Sequence, residues 1–294
     1  MDINAGNLSI LSQAIDMRFN RGMQRATTPW NAVAMEIPST SGESLYPYFK
    51  DLGYIREWVG ERVIQNVSQD KFVIRNKPFE ESHGIDREAI EDDSYGIYAN
   101  IFEQTGQNAA NFPGDLVYST LKSGLTMLGP DGQYFFDTDH PVRSAVVSNH
   151  MGGTGEAWFI VDSSMVMKPL IWQPRKKFNL VKLFNENDAN VFFQKKYIWG
   201  VDGRGAAGFS PWWQLAFASK QALDIASLKA TLTAMSSQIG ESGKPLKVKG
   251  THLIVSPAQA EVAYDLLNKD TLAGGETNTM KKRLELVVAP ELLV

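Results

Sequence analysis

An α+β fold is predicted from three features of the sequence. Helical apolar spacing occupies residues 8–24 and returns between Asp86 and Leu128, the middle of the chain is built of short aromatic strands, and the last part alternates helix and strand patterns. The 294 residues are 43% hydrophobic and 21% charged, which suits a chain with a full buried core and excludes a disordered one. There is no cysteine, so disulfides, zinc-thiolate sites, iron-sulfur clusters and thiol nucleophiles are excluded. The net charge of -4 argues against a dedicated nucleic-acid binder, which usually carries a basic excess, and predicts that any DNA contact is loose. The first residues have neither the charge order of a signal peptide nor the apolar run of a membrane span, which predicts a soluble chain not exported by that route.

Taken in order, Leu8, Leu11, Ile15 and Phe19 recur near helical spacing behind Asn7, a candidate N-cap, and predict an amphipathic helix. The Pro-, Ser- and Gly-punctuated stretch up to about residue 52 shows too little periodicity to enclose a core, so the whole segment reads as an arm that docks elsewhere. YIREWVGERVIQNVSQDKFVIRNKPFEE then predicts two strands around a turn near Asn66 to Asp70. Arg56, Arg62, Lys71, Arg75 and Lys77 are balanced there by Glu57, Glu61, Asp70, Glu80 and Glu81. An isolated hairpin is marginal in water. Two readings therefore stand: a solvated edge hairpin of the same domain, or a projecting hairpin that matches opposite charges on another subunit.

Beyond Asp86 the period becomes helical, and Val117, Leu121, Leu125 and Leu128 share one side of a long helix or of two nearly collinear ones, with Pro113 suited to a first helical position. GQYFFDTDHP, EAWFIVDSS, MKPLIWQPR and VFFQKKYIWGVDGRGAAGFSPWWQLAFAS predict short strands. A helix at 222–238, a strand at THLIVSP, a helix at 257–268 and a last strand at LELVVAP follow. No internal repeat or long linker divides the chain.

The G-x-G-x-x-G spacing at Gly203, Gly205 and Gly208 follows a strand pattern, as a dinucleotide loop does. That chemistry also needs a helix opening at the last glycine, to aim its N–H groups at the pyrophosphate, and an acidic residue ending the next strand. Neither is legible, so these glycines are read as a hairpin turn using positive φ. Asp137, Asp139 and His140 are metal-capable and adjacent, but capping and turn hydrogen bonds account for them more simply. No nucleophile elbow, phosphate loop or H-E-x-x-H motif is present, and no catalytic, cofactor or metal residue is assigned.

REWVGERVIQN, FVIRNKPFE, IDREAIEDDSYGIYA, FFDTDHP, YIWGVDGRGAAGFSPWWQLAFASK and GKPLKVKGTHLIVSP, in that order through nearly the whole chain, resemble the Mu-like prophage major head subunit family, gpT. The resemblance implies a Hong Kong 97-type capsid fold: an N-terminal arm at 1–53, an extended loop at 54–84, a peripheral domain at 85–219 with a spine helix at about 95–126, and an axial domain at 220–294. It implies that the loop lies over a neighbouring subunit and makes intersubunit contacts through Arg56, Glu57, Trp58, Glu61, Arg62, Lys71, Arg75 and Lys77. The implied function is a major capsid protein forming pentamers and hexamers of an icosahedral shell around double-stranded DNA. It would need no cofactor and no catalysis, and would be assembled in the host cytoplasm with scaffold, portal and decoration proteins as partners and no membrane.

Two other functions stand as alternatives: an encapsulin-like compartment, distinguished by protein cargo in place of DNA, and a nucleotide-dependent oxidoreductase, favoured by the glycine spacing alone. Basic patches at Arg175, Lys176 and Lys177 and at Lys281, Lys282 and Arg283 are candidate weak DNA contacts. The order of THLIVSP and LELVVAP relative to Trp158 and Phe159 looks permuted, which predicts that the C-terminus lies close to Gly155 and Trp158.

Overall fold

The computed structural model describes residues 5–25, 29–47, 71–92, 97–271 and 275–293, and statements of absence below refer to these residues. From the N-terminus, helix α1 (Ala5–Met23) leads through strand β1 (Ala34–Glu36) to β2 (Glu43–Pro47). Strands β3 (Lys71–Arg75) and β4 (Lys77–Asp86), the short α2 (Arg87–Asp92) and the long α3 (Ile97–Ser123) follow. The middle holds β5 (His140–Val142), β6 (Ala145–Val147), β7 (His150–Gly153), β8 (Trp158–Val161), β9 (Leu170–Leu183), α4 (Ala189–Gln194) and β10 (Lys196–Phe209). β11 (Ala216–Lys220), α5 (Ile225–Ser236), β12 (His252–Val255), α6 (Ala260–Asn268) and β13 (Glu285–Val288) complete the chain, with a closing 3₁₀ turn at Pro290–Leu293.

Two sheets organise these elements. The first has the order β1-β9-β10-β4 and is dominated by the antiparallel 14-residue strands β9 and β10. Along β10, Tyr197, Trp199 and Val201 alternate inward with period two, as a strand covered on one face requires. Their cover is helical: Phe102 of α3 meets Trp199 edge to face at 5.4 Å, and Phe19 of α1 and Ala109 of α3 close over Val201. The second sheet has the order β13-β12-β8-β11-β7. All four residues of β8 are buried because both its faces are covered. Trp158 and Ile160 face Leu228 and Leu232 of α5 and Leu267 of α6, while Phe159 and Val161 face Val117, Tyr118 and Leu121 of α3. α5 starts at a capping box, Ser227 N–H donating to Asp224 Oδ1 at 2.8 Å and Asp224 N–H to Ser227 Oγ at 3.1 Å.

α3 joins the two sheets: its first half lies with α1 over the long strands and its second half lines the core of the five-stranded sheet. Pro113 sits inside this helix, not at its start. A proline there removes one helical hydrogen bond and strains the turn before it. The helix continues because both halves are anchored by packing, Phe102 and Ala109 before the proline and Val117, Tyr118 and Leu121 after it, each large side chain contributing about 1.5–3 kcal/mol on burial.

Several expectations are corrected. The arm is not without a place in its own subunit: Leu8, Ile15 and Phe19 of α1 are buried, and α1 packs along α3. That packing is close because glycines face it, a Cβ on Gly22 falling 1.9 Å from the Glu103 carbonyl oxygen and one on Gly106 falling 2.2 Å from that of Phe19. β3 pairs antiparallel with β2, from Glu43↔Arg75 to Pro47↔Lys71, and the strand expected beside it at about 54–66 lies outside the described residues. The proposed turn at Asn66 to Asp70 lies outside the described residues. VFFQ is a helical turn, α4, and not the start of a strand.

The division expected at residue 219 is not one the sheet respects, since β7 and β8 from before it join β12 and β13 from after it, and β11 itself runs across it. β12 lies between β13 and β8, so the last strand is not the direct neighbour of β8, although Val288 and Trp158 lie at the same end of the sheet, both level with Val255. No helix is long and apolar enough to cross a membrane.

Candidate assembly interface

β2 and β3 pair on either side of residues 48–70, which lie outside the described residues, and so form the base of the extended loop expected there. One face of this base is fixed to the long-stranded sheet. Tyr46 and Phe72 stack at 5.1 Å, and Ile74 is buried against Ile171 and Ala206. A fully buried amide, Gln173 of β9, clamps the base: it accepts from Tyr46 Oη at 2.5 Å and donates to Asn76 Oδ1 at 2.8 Å and to the Ile74 carbonyl at 3.3 Å. Asn76 in turn donates to the Ser41 carbonyl at 2.9 Å and to Ser39 Oγ at 3.0 Å. Burial raises the Tyr46 phenol above its ordinary pKa, so it stays a donor at neutral pH.

Strand alternation turns Glu43, Leu45, Val73 and Arg75 outward. Leu45 and Val73 are 56% and 46% exposed, and Arg75 bonds Glu43 at 3.1 Å on the open surface. Beside them runs an apolar groove of about 680 Å³ between β3, β10, α3 and the turn after α3, with Val73, Phe79, Leu116, Met127 and Leu128 among its walls. Exposed apolar side chains flanking a groove, rimmed by charge, have the anatomy of a protein interface.

Of the loop residues singled out in the sequence, Arg56, Glu57, Trp58, Glu61 and Arg62 lie outside the described residues, as does the side chain of Lys71. Arg75 is on the outward face just described. Lys77 is exposed at the start of β4, opposite Gly205 of β10.

Gly203, Gly205 and Gly208 do not form a hairpin turn. All three lie inside β10, and none has positive φ. Their role is clearance. A Cβ on Gly203 would meet the Phe178 ring at 2.7 Å, one on Gly205 the Trp172 ring at 2.6 Å, and one on Gly208 Ile74 Cδ1 at 2.7 Å. Phe178 uses its space to pack against Phe112 of α3, which Phe79 meets from the other side. The glycine at 208 seats the base of the loop itself. With a strand running through all three positions and no helix opening after Gly208, the dinucleotide-loop geometry is not formed here.

His140 is fully buried and structural: it stacks on Trp213 at 3.8 Å, with Nδ1 2.6 Å from Asp131 Oδ2 and Nε2 3.2 Å from Asn149 Oδ1. Asp137 accepts backbone N–H bonds from Thr138 and Tyr134, as a turn residue does. Gln173, Asn76, Gly22 and Gly106 were not singled out from the sequence. Only the Gly pair carried a signal, each being a glycine inside a helical pattern.

A long helix bridging a long-stranded sheet and a compact five-stranded one, with a separate strand pair packed on the first, is the architecture of a Hong Kong 97-type capsid subunit. The chain belongs to the Mu-like prophage major head subunit gpT family, whose model matches residues 8–292. It is 35% identical to the major capsid protein of Escherichia phage Mu, with 99% of this chain and 100% of that one covered. It is 31% identical to the Mu-like prophage FluMu major head subunit of Haemophilus influenzae, with 91% of each covered. Among solved structures, a chain of the procapsid of bacteriophage JBD30 matches with a TM-score of 0.88 at 32% identity, covering 98% of this chain and 100% of that one. A chain of the JBD30 capsid decorated with minor capsid protein trimers matches with a TM-score of 0.78 at 25% identity, covering 92% and 93%. The protein is a major head subunit of a tailed bacteriophage or prophage, a structural capsid protein.

Proposed function

We propose that this subunit assembles through pentamers and hexamers into an icosahedral shell enclosing double-stranded DNA, in the host cytoplasm, with its extended loop lying over a neighbouring subunit. The observation that carries the reading is the full-length match to a procapsid chain, together with a loop base whose inner face is clamped by Gln173 and whose outer face offers Leu45, Val73 and Arg75. Head-to-tail contacts of this kind close into rings, and many weak contacts add up by multivalency. Charges at Arg56, Glu57, Glu61, Arg62, Lys71, Arg75 and Lys77, with Trp58, would select the register on the neighbour.

In this reading the four-stranded sheet with α1 and α3 is the peripheral domain, and the five-stranded sheet with α5 and α6 is the axial one. Scaffold and portal proteins are its assembly partners, and the decoration of the JBD30 capsid by minor capsid protein trimers supports a decoration partner of the same kind. The chain performs no catalysis. Electron microscopy and sedimentation of the purified protein test the reading: rings or shells are expected, and a strictly monomeric mass across a wide range of concentration and salt refutes it. DNA content in particles recovered from host cells separates a phage head from a protein-filled compartment.

A further inference from the structure

α1 carries Arg18 and Arg21 one turn apart, with Arg25 just past its end, and all three guanidinium groups converge on one carboxylate of α3. Arg18 Nη1 lies 3.0 Å from Glu103 Oε2, Arg25 Nη1 2.9 Å and Arg21 Nε 3.5 Å from Glu103 Oε1. The hydrogen bond from Arg18, reinforced by the charges of Arg21 and Arg25, holds the Glu103 carboxyl below its ordinary pKa. The carboxylate is 13% exposed, whereas the arginines are 42%, 59% and 50% exposed. Three positive charges against one negative leave a surplus of two.

A carboxylate offers about four lone-pair sites and each guanidinium five N–H donors, so most of the donors remain free to face outward. They border a cleft of about 370 Å³ that also holds the amides of Asn100 and Gln107, and Glu103 is its one acid. A single inner anchor therefore orients three always-charged planar donors toward a concave, polar, solvent-filled space. Arg18 and Arg25 are seven residues apart, about 10 Å along a helix axis. Duplex DNA presents one charge per about 1.7 Å of its axis, so a stripe of that length spans several phosphates. Guanidinium forks match phosphate oxygens in geometry as well as charge.

We propose that Arg18, Arg21 and Arg25, organised by Glu103, form a phosphate-binding stripe that holds the backbone of duplex DNA without sequence preference. The inference rests on the reading of this protein as a shell around DNA and names the surface that meets the nucleic acid. It differs from the patches legible in the sequence: Lys176 is ion-paired with Asp202 and Lys281 with Asp270, each on an exposed segment.

The test is the salt dependence of binding to a short duplex of arbitrary sequence, read by fluorescence anisotropy on unassembled subunits. Arg21→Gln, at the most exposed and most loosely held position, should lower the slope of log affinity against log salt by about 0.9, and Arg18→Gln/Arg21→Gln/Arg25→Gln by about 2.7. Arg18→Lys/Arg21→Lys/Arg25→Lys, which keeps the charge and protects against loss of fold, should retain most of the slope. An unchanged slope in Arg21→Gln and in the triple glutamine variant refutes the stripe, most directly if Lys281→Gln/Lys282→Gln/Arg283→Gln abolishes it. Preference for poly-glutamate over DNA of equal charge also overturns the proposal, in favour of an acidic protein partner. Electron microscopy of the same preparations reads shell formation separately, so a failure of the capsid reading and a failure of the stripe are distinct results.

Discussion

Replacing Gly106 by alanine tests the closeness of α1 and α3 through the sign of its effect. In an open helix interior, Gly→Ala stabilises by about 1 kcal/mol because it restricts the unfolded backbone and shields the helix. Here the new Cβ would lie 2.2 Å from the Phe19 carbonyl oxygen, 3.0 Å from its carbon and 3.1 Å from the Met23 nitrogen. A tolerable C···O approach is about 3.3 Å, so the two backbones must part by about 1 Å. The clashing atoms belong to a helix backbone and cannot rotate away. Overpacking of this kind costs about 1–3 kcal/mol, and a gap of that size forfeits a quarter to a half of each dispersion contact where Ile15 and Phe19 are buried. Offset by the propensity gain, the net expectation is about 1–2 kcal/mol of destabilisation, read by urea denaturation of the unassembled subunit. Gly22→Ala, whose Cβ would fall 1.9 Å from the Glu103 carbonyl oxygen, should act alike. The double variant should cost little more than the worse single one, since one separation relieves both clashes. Stabilisation by either alanine would refute the close crossing and, with it, the placement of the α1 arginines over Glu103.

Three further outcomes are expected. Gly203→Ala, which sets a methyl 2.7 Å from the Phe178 ring, should destabilise by about 1–3 kcal/mol, whereas a turn glycine with positive φ would be rescued by asparagine; rescue by Gly203→Asn would contradict the strand assignment. His140→Ala should cost about 3 kcal/mol or more and alter the near-ultraviolet signal of Trp213, because it leaves Asp131 without its 2.6 Å partner and removes a stacked ring; a loss below 1 kcal/mol would show that this network is not structural. Asp115 is pushed up to about 6, by desolvation first and by the nearby Glu291 second, so its ionised form is disfavoured in the folded state. Its folded pKa exceeds the unfolded one, so stability rises as pH falls through about 6. Asp115→Asn should therefore melt at a higher temperature than the parent at pH 7.5, with the difference closing toward pH 5; a difference independent of pH would exclude that role.

Elements whose evidence is local are legible in the sequence. The spacing of Leu8, Ile15 and Phe19 and the apolar runs of β12 and β13 each state a helix or strand within one or two turns of chain, and the order of short motifs identified the family and thereby the fold. The loop contacts proposed on a neighbour are a different matter, since Arg56 to Arg62 lie outside the described residues. The rest follows from contacts between residues far apart in the chain. Gly203, Gly205 and Gly208 look like a turn because glycine permits positive φ, yet they serve as clearance for Phe178, Trp172 and Ile74, which lie 25 to 134 positions away in the chain. Pro113 resembles a helix start, and the helix passes through it because packing on two sheets outweighs one lost hydrogen bond. β3 pairs with β2 over a base that Gln173, about a hundred positions further on, clamps by bonding Tyr46, Ile74 and Asn76. Local propensity is a preference of tenths to about one kcal/mol per residue, and burial of a single large side chain against a distant neighbour is worth more.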